Sequence, residues 1–424
     1  MPNTPPGSQP LPIADNHTPT LWHHADFMKL WIGQTTSLFG SALSRLAIPL
    51  IAALALNATP AEMGLLTAVG TAPSLLVGLF TGVWVDRIRR RTLLIVGDVG
   101  RALLLVTIPA AAFLGVLTMV QLYVVGFLTG VLSVFFDVAS RSYLPTLIDR
   151  CQLVEANGKL ELSGSIMAVA GPSLAGLIIQ AITAPLAIVL DAVSYLVSAL
   201  CVFFIRHREE APQISRVPML IQVREGLGVV FGNPLLRAFA GCLATSNFAS
   251  NAFFALYILF GTRELGLNAA ELGLAYGIGA SGAVVAAMIA ARVTARLGVG
   301  RALILGAFLG SLEVLPVVFA TPRSAVLLLL LSSLLGNFGW VLYNVNAVSL
   351  RQAVTPMALQ GRVNATFSFL VSGMLPLGAL AGGLLGEGLG LRNTIILAAV
   401  GSLFAFLWVL FSPVRNVTQI PEAT

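Results

Sequence analysis

Long runs without a single charged side chain constrain this chain more than any other feature. They extend from Met63 to Val85, Leu162 to Leu190, Ala238 to Thr262, Leu272 to Ala291, Ser324 to Leu350, Val363 to Gly386 and Asn393 to Val414. Each is long enough to cross a bilayer, which takes about 20 apolar residues in helical form. Ala102 to Phe136 is long enough for most of two more spans, broken near Gly115-Val116-Leu117-Thr118. Ile48 to Ala61, Ala192 to Ile205 and the segment around Ala302 to Ala320 supply the rest once single embedded charges are allowed. The count is twelve spans, which predicts an all-α polytopic membrane protein. Only 10% of the 424 residues are charged, against about 25% in soluble domains. That deficit excludes a soluble enzyme, a disordered regulator and a secreted disulfide scaffold.

The net charge of +6 concerns orientation rather than a polyanionic partner. With the N-terminus inside, Arg263, Arg323 and Arg392 fall in outer loops, and Arg45 and Arg101 fall within spans. The other basic residues sit at cytoplasmic ends or loops. Such asymmetry predicts both termini in the cytoplasm of a cell-membrane protein, and no nucleic-acid module is present. Cys151, Cys201 and Cys242 are scattered without metal or disulfide spacing. The first 26 residues hold six prolines and read as a disordered cytoplasmic tail. They lack a cleaved signal pattern, so the first span is expected to target the chain.

The longest polar interruption, Arg206 to Pro218, falls at the midpoint. It divides a bundle over 27–205 from one over 236–412. Between them, 206–235 forms a central cytoplasmic loop, with a surface helix over Gln222 to Arg237 suggested by Val223, Leu227, Val230 and Phe231. Residues 413–424 form a second tail. The halves echo one another. Asp86-Arg87 corresponds to Ala295-Arg296, Arg141 to Arg351, Asn157 to Asn364 and Pro172 to Pro376, at offsets of 209, 210, 207 and 204. Two six-helix pseudo-symmetric bundles with a site between them are a transporter architecture.

Three motifs stand out. Gly82-Val-Trp-Val-Asp86-Arg87-Ile-Arg-Arg90-Arg91 closes the second span, and its clustered charges suit contacts that form in one conformation and break in another. In the fifth span Gly164, Ala168, Gly171 and Ala175 recur at spacings of 4, 3 and 4, forming one small-residue face for close packing. Pro172 follows as a kink and Gly176 ends the run. Phe136-Asp137-Val-Ala-Ser140-Arg leads through Leu144-Pro145 to Leu153-Val-Glu155-Ala-Asn157, while Asp98-Val-Gly-Arg101 and Leu190-Asp191-Ala-Val-Ser-Tyr lie in the third and sixth spans.

Together these resemble the major facilitator superfamily over roughly residues 27 to 412. The first resembles its G-x-x-x-D-R-x-x-R-R loop signature, departing at Arg89 where the family usually has glycine. The second-half copy, Ala295 to Arg301, lacks the acid. The run from Ala168 to Gly176 resembles the motif of exporting members. The remainder resembles the drug:H⁺ antiporter subgroup that includes macrolide efflux proteins and the enterobactin exporter. The resemblance implies a twelve-helix, alternating-access exporter driven by protons. It also implies that Asp137 joins a charge relay with Arg87 or Arg91.

Ionisable groups inside a membrane are costly, and so are functional candidates. The proton-coupling candidates are Glu161, about one turn inside the fifth span, then Asp191, Asp98 and Glu313. Asp98 and Arg101, three residues apart, share a helix face and are expected to pair. Arg45, near the middle of the first span, is expected to attract acidic cargo or tune a carboxylate. Phe39, Asn247, Asn251, Phe254, Tyr257, Trp340, Tyr343 and Asn344 offer a lining of aromatics and amides for a bulky amphipathic ligand. The predicted function is proton-coupled export of such a molecule, a macrolide-like drug or a siderophore. The alternative is an importer or lipid flippase on the same fold. No nucleotide-binding loop and no His/Cys/acid cluster occurs, so neither a cofactor nor enzymatic chemistry is expected. The partners are cargo, protons and lipid, and a monomer is expected.

Overall fold

Twelve spans are built from helices whose ends the sequence marks locally. The computed structural model describes residues 21–85, 87–207 and 227–419. The spans are α1 (Ala25–Leu54), α2 (Pro60–Leu76 and Gly78–Val85), α3 (Arg90–Phe113), α4 (Met119–Leu147), α5 (Leu153–Ile182) and α6 (Ala184–Phe203). After the central loop come α7 (Pro234–Arg263), α8 (Ala269–Leu297), α9 (Val299–Val318), α10 (Ala325–Val354), α11 (Met357–Leu389) and α12 (Leu391–Leu410). Eleven of these are, among the described residues, long and apolar enough to cross a membrane. The twelfth, α2, is interrupted at Val77, beside the poor helix former Gly78. Hydropathy does not record that break.

The internal repeat is visible in the caps. α2 begins with a reciprocal capping box between Thr59 and Glu62, and α8 with one between Asn268 and Glu271. Each pair satisfies two otherwise unpaired helix-end donors, and both are offset by 209 residues, the spacing of the charged-loop copies. The turn before α3 differs from its copy. Gly298 enters α9 at φ +81°, whereas Arg89 enters α3 at φ −57°. Arg89 thus takes a turn that needs no glycine.

The helices form two bundles. In the first, α1 packs along α6, where Gly33 and Gly40 meet Ser198 and Ser194. In the second, α9 packs along α10 and α7 along α11 and α12. Hereafter the N-terminal face is the side on which α1 begins, and the far face is the side on which it ends. One hydrophobic core joins both bundles toward the far face, including Leu50, Ile179, Phe253 and Leu272. Toward the N-terminal face there are instead two separate cores. One contains Phe27, Leu94 and Tyr143, the other Phe239, Leu303 and Leu350. The bundles therefore meet at the far face and part toward the N-terminal face.

The helix expected over 222–237 is only partly within the described residues. Residues 227–232 are helical, and Asn233 then caps α7 by accepting from Leu235 N. Pro234 to Arg237 are thus the first turn of α7, because Asn233 and Pro234 together make a helix start.

Candidate functional site

A cleft of about 1250 Å³ is lined entirely by the first bundle, with residues from each of α1 to α6. Its α1 wall consists of Gln34, Ser37, Leu38, Ser41, Ser44, Arg45 and Ile48, one continuous helical face. The other walls mix glycine and apolar side chains with serine, threonine and charged ones, including Thr67, Thr129, Ser133, Asp137, Arg141 and Glu161.

At the inner wall the expected Asp98–Arg101 pair forms, with Nη2 to Oδ1 at 2.5 Å. The guanidinium is held from several sides. Its Nε donates to Gly97 O at 3.3 Å and Nη1 to Ser133 Oγ at 3.4 Å. The Phe136 and Tyr195 rings sandwich it at 4.3 and 4.2 Å. Aromatic faces stabilise a desolvated cation, so α3, α4 and α6 are tied together at this one group. Tyr195 is fixed in turn by Ser41, hydroxyl to hydroxyl at 2.8 Å.

Asp191 lies one turn before Tyr195 and exposes none of its surface. Ser194 Oγ donates to its Oδ1 at 3.2 Å. Gly40 makes the room, since a Cβ there would fall 2.5 Å from that oxygen. Ser198 lies beside the Asp98 carboxyl and Ser44 beside that of Asp191, each a hydroxyl able to donate to the second oxygen.

Other placements depart from the sequence reading. Asp137 faces Arg101 and Arg141 and not Arg87 or Arg91. It lies on the cleft side of α4, while Arg91 is drawn away to the end of α6. Arg91 donates from Nη2 to Phe203 O and from Nε to Val202 O at 3.3 Å. Gly82 lies within the helix Gly78–Val85, Arg87 is exposed, Arg90 opens α3, and Asp86 lies outside the described residues. Glu161 is exposed on the cleft wall.

The small-residue face of α5 packs only in part. Gly171 meets Ala42, and Pro172 and Gly176 meet Gly273 and Ala269 of α8. Gly164 has nothing within reach and Ala168 is exposed. Gly164 and Ala168 share the side of the helix that Gly171 turns to α1, while Pro172 and Gly176 turn to α8 on the neighbouring side.

A second, smaller cavity of about 220 Å³ lies inside the second bundle. It gathers the expected Asn247, Asn251, Phe254, Trp340, Tyr343 and Glu313, and adds Ser250, Tyr276 and Asn337. Glu313 occupies the break in α9 between Ser311 and Leu315 and accepts from Ser250 Oγ at 3.1 Å. Broken spans commonly mark ion and substrate sites in transporters.

Phe39, Tyr257 and Asn344 line neither cavity. Phe39 is turned onto the shared core, off the α1 face that fronts the cleft. Tyr257 is buried with Phe253, Phe254 and Tyr276 and donates to Leu272 O at 3.3 Å. Asn344 is exposed one turn beyond Trp340. Sequence reasoning missed Phe136, Tyr195 and Gly40. The signal for Tyr195 was its place one turn after Asp191.

At the far face, Gly64 of α2 opposes Gly383 of α11 so closely that a Cβ on Gly64 would lie 2.5 Å from the Gly383 Cα. Beside them Glu387 of α11 accepts from the Ala61 amide at 3.2 Å. This carboxylate of one bundle thus covers the positive helix end of the other. Being exposed, it is worth at most about 1 kcal/mol. Glu387→Ala is therefore expected to raise the population open at the far face a few-fold, read as faster labelling of a cysteine placed beneath it. Unchanged labelling would mean that the glycine contacts alone hold the closure.

The Major Facilitator Superfamily model matches residues 30–376. The chain is 25% identical over 394 residues to the multidrug efflux pump Tap of Mycolicibacterium fortuitum, covering 88% of this chain and 92% of Tap. It is 27% identical over 223 residues to the MFS-type transporter YfiS of Bacillus subtilis (strain 168), a match spanning about half of each chain, 51% and 52%. Among solved structures, a bacterial homologue of the iron transporter ferroportin in an inward-facing state shares the fold. Its TM-score is 0.73 at 16% identity, over 91% of this chain and 98% of that one. With its spans in two bundles and a family match over most of its length, the chain belongs to the Major Facilitator Superfamily and is a membrane transporter rather than an enzyme.

Proposed function

We propose that the protein is a proton-coupled exporter of amphipathic small molecules, acting as a monomer in the cell membrane with both termini cytoplasmic. The observation that carries this reading is the pair of sealed carboxylates at the cleft wall. Asp191 lines the cleft and Asp98 sits behind it on Arg101, and neither exposes any surface. A proton on Asp98 weakens its attraction for Arg101, and its departure restores it. Protonation thus changes what the wall offers a ligand, which is what exchange of cargo for protons requires.

Support also comes from the similarity to Tap along most of the chain. The concentration of arginines on the N-terminal face supports a cytoplasmic placement of that face, the side on which the bundles part and an exporter loads. The serine- and threonine-rich walls suit a cargo with several hydrogen-bonding groups. Arg45 and Arg141 would meet its acidic or polar parts, and the Glu313 cavity in the second bundle its apolar remainder. Glu161, exposed on the cleft wall, would face the cargo from α5.

The test is efflux of a panel of dyes and drugs from a pump-deficient host expressing the protein. Efflux is expected to stop on addition of a protonophore. Asp191→Asn keeps the shape beneath Gly40 and is expected to weaken the proton-dependent component while the protein remains in the membrane. Proton-driven accumulation into cells, or outward movement of labelled lipid alone, would replace this reading with the importer or the flippase. Full proton-dependent efflux in Asp191→Asn would remove that residue as a carrier.

A further inference from the structure

A groove of about 500 Å³ between the N-terminal-face ends of α7 and α12 has no part in the transport scheme, and shares no lining residue with either cavity. Its floor is the Trp408 indole, seated over Gly241, where a Cβ would fall 2.5 Å from the ring. The indole Nε1 donates to Thr245 Oγ1 at 3.1 Å. A tryptophan held in this way, ring to lipid and N–H satisfied, suits the membrane interface. Phe404 and Phe411 flank it, 58% and 77% exposed, giving an apolar trough on the outside of the bundle. Arg237, in the first turn of α7, is exposed at the groove. Among the described residues that line it none is acidic. The positive end of the α7 dipole adds to its charge.

We propose that this groove is a binding site for an anionic phospholipid of the N-terminal-face leaflet, with its phosphate on Arg237 and an acyl chain along Phe404, Trp408 and Phe411. Charge complementarity selects the occupant. A cation beside an exposed aromatic trough matches a molecule with an anionic head and an apolar tail, and the bilayer supplies such molecules at that depth. A zwitterionic lipid would fill the trough equally well but would bring its own cation to Arg237. The site is therefore selective for headgroup charge and indifferent to the cargo.

The experiment uses the full chain with Trp408 as its only tryptophan (Trp22, Trp31, Trp84 and Trp340→Phe), reconstituted into phosphatidylcholine vesicles. These are doped with either brominated phosphatidylglycerol or brominated phosphatidylcholine, both of which quench indole fluorescence on contact. Half-maximal quenching is expected at about fivefold lower mole fraction of the phosphatidylglycerol, the selectivity that one basic side chain at a membrane surface supplies. Arg237→Gln is expected to abolish the preference, and Arg415→Gln, outside the groove, to keep it. Equal quenching by the two lipids, or a preference that survives Arg237→Gln, overturns the proposal. Quenching by neither lipid also overturns it, because protein then covers the groove. If the single-tryptophan chain does not fold, native mass spectrometry of the wild type and Arg237→Gln decides. Phosphatidylglycerol retained by the first and lost from the second is the supporting result, and equal retention the opposing one.

Discussion

Arg101→Ala is expected to destabilise the folded protein by about 3–5 kcal/mol, the cost of leaving one member of a buried ion pair behind. Asp98 exposes none of its surface, and no other cation bonds to it among the described residues. The loss extends further, because Phe136 and Tyr195 close on the guanidinium from two helices. Without it the junction of α3, α4 and α6 loses both its charge and its filling. The measurement is the thermal unfolding of purified protein in detergent, followed by size-exclusion fluorescence.

The second half of this prediction separates stability from transport. Adding Asp98→Asn to Arg101→Ala removes the stranded charge and is expected to recover most of the lost stability. The charge-neutral pair Asp98→Asn with Arg101→Gln is expected to fold while losing proton-dependent efflux. Arg101→Ala that unfolds together with the wild type would show that the pair contributes nothing to the fold. A neutral pair with full proton-dependent efflux would show that it contributes nothing to coupling.

Much of this arrangement was legible in the sequence. An acid and an arginine three residues apart on an otherwise apolar helix have little choice but to pair, since each alone would be too costly in a span. The repeat was legible too, and its clearest markers, the capping boxes at Thr59 and Asn268, are local chemistry. What could not be read is what depends on two or three helices at once. Phe136 and Tyr195 are ordinary aromatics until α4 and α6 bring them to opposite sides of Arg101. Glu161 and Asp191 are similar as single acids in apolar runs. They differ because Gly40 of a third helix admits Asp191 to a sealed site, while Glu161 fronts the cleft. Phe39 was misassigned for a related reason: aromatic character marks a candidate lining, but the register of α1 turns that residue onto the core. The small residues of α5 are divided between two neighbours, Gly171 meeting α1 and Gly176 meeting α8, with Gly164 against neither, a division that spacing does not encode.

That split makes the largest functional prediction. Gly176 sits against α8 with its Cα so close to Gly273 that a Cβ there would lie 3.0 Å from it, and nearer still to the Ala269 carbonyl. Ser165, three turns earlier and on the same side of the helix, is exposed. If the bundles rock about the cleft, closure at the N-terminal face brings α8 toward Ser165 as the far-face contact at Gly176 opens. Gly176→Val then penalises only the conformation seen here, and Ser165→Phe only its opposite. Overpacking of this kind costs about 1–3 kcal/mol, and a penalty of that size on one of two states shifts their ratio by roughly 5- to 150-fold. Both variants are expected to lose most transport, for opposite reasons. Cysteines reporting on the far-face side are expected to label faster in Gly176→Val and slower in Ser165→Phe, with the reverse order at the N-terminal face. The same shift in both variants, or none in Ser165→Phe, would mean that α5 is not a surface across which the two bundles rock.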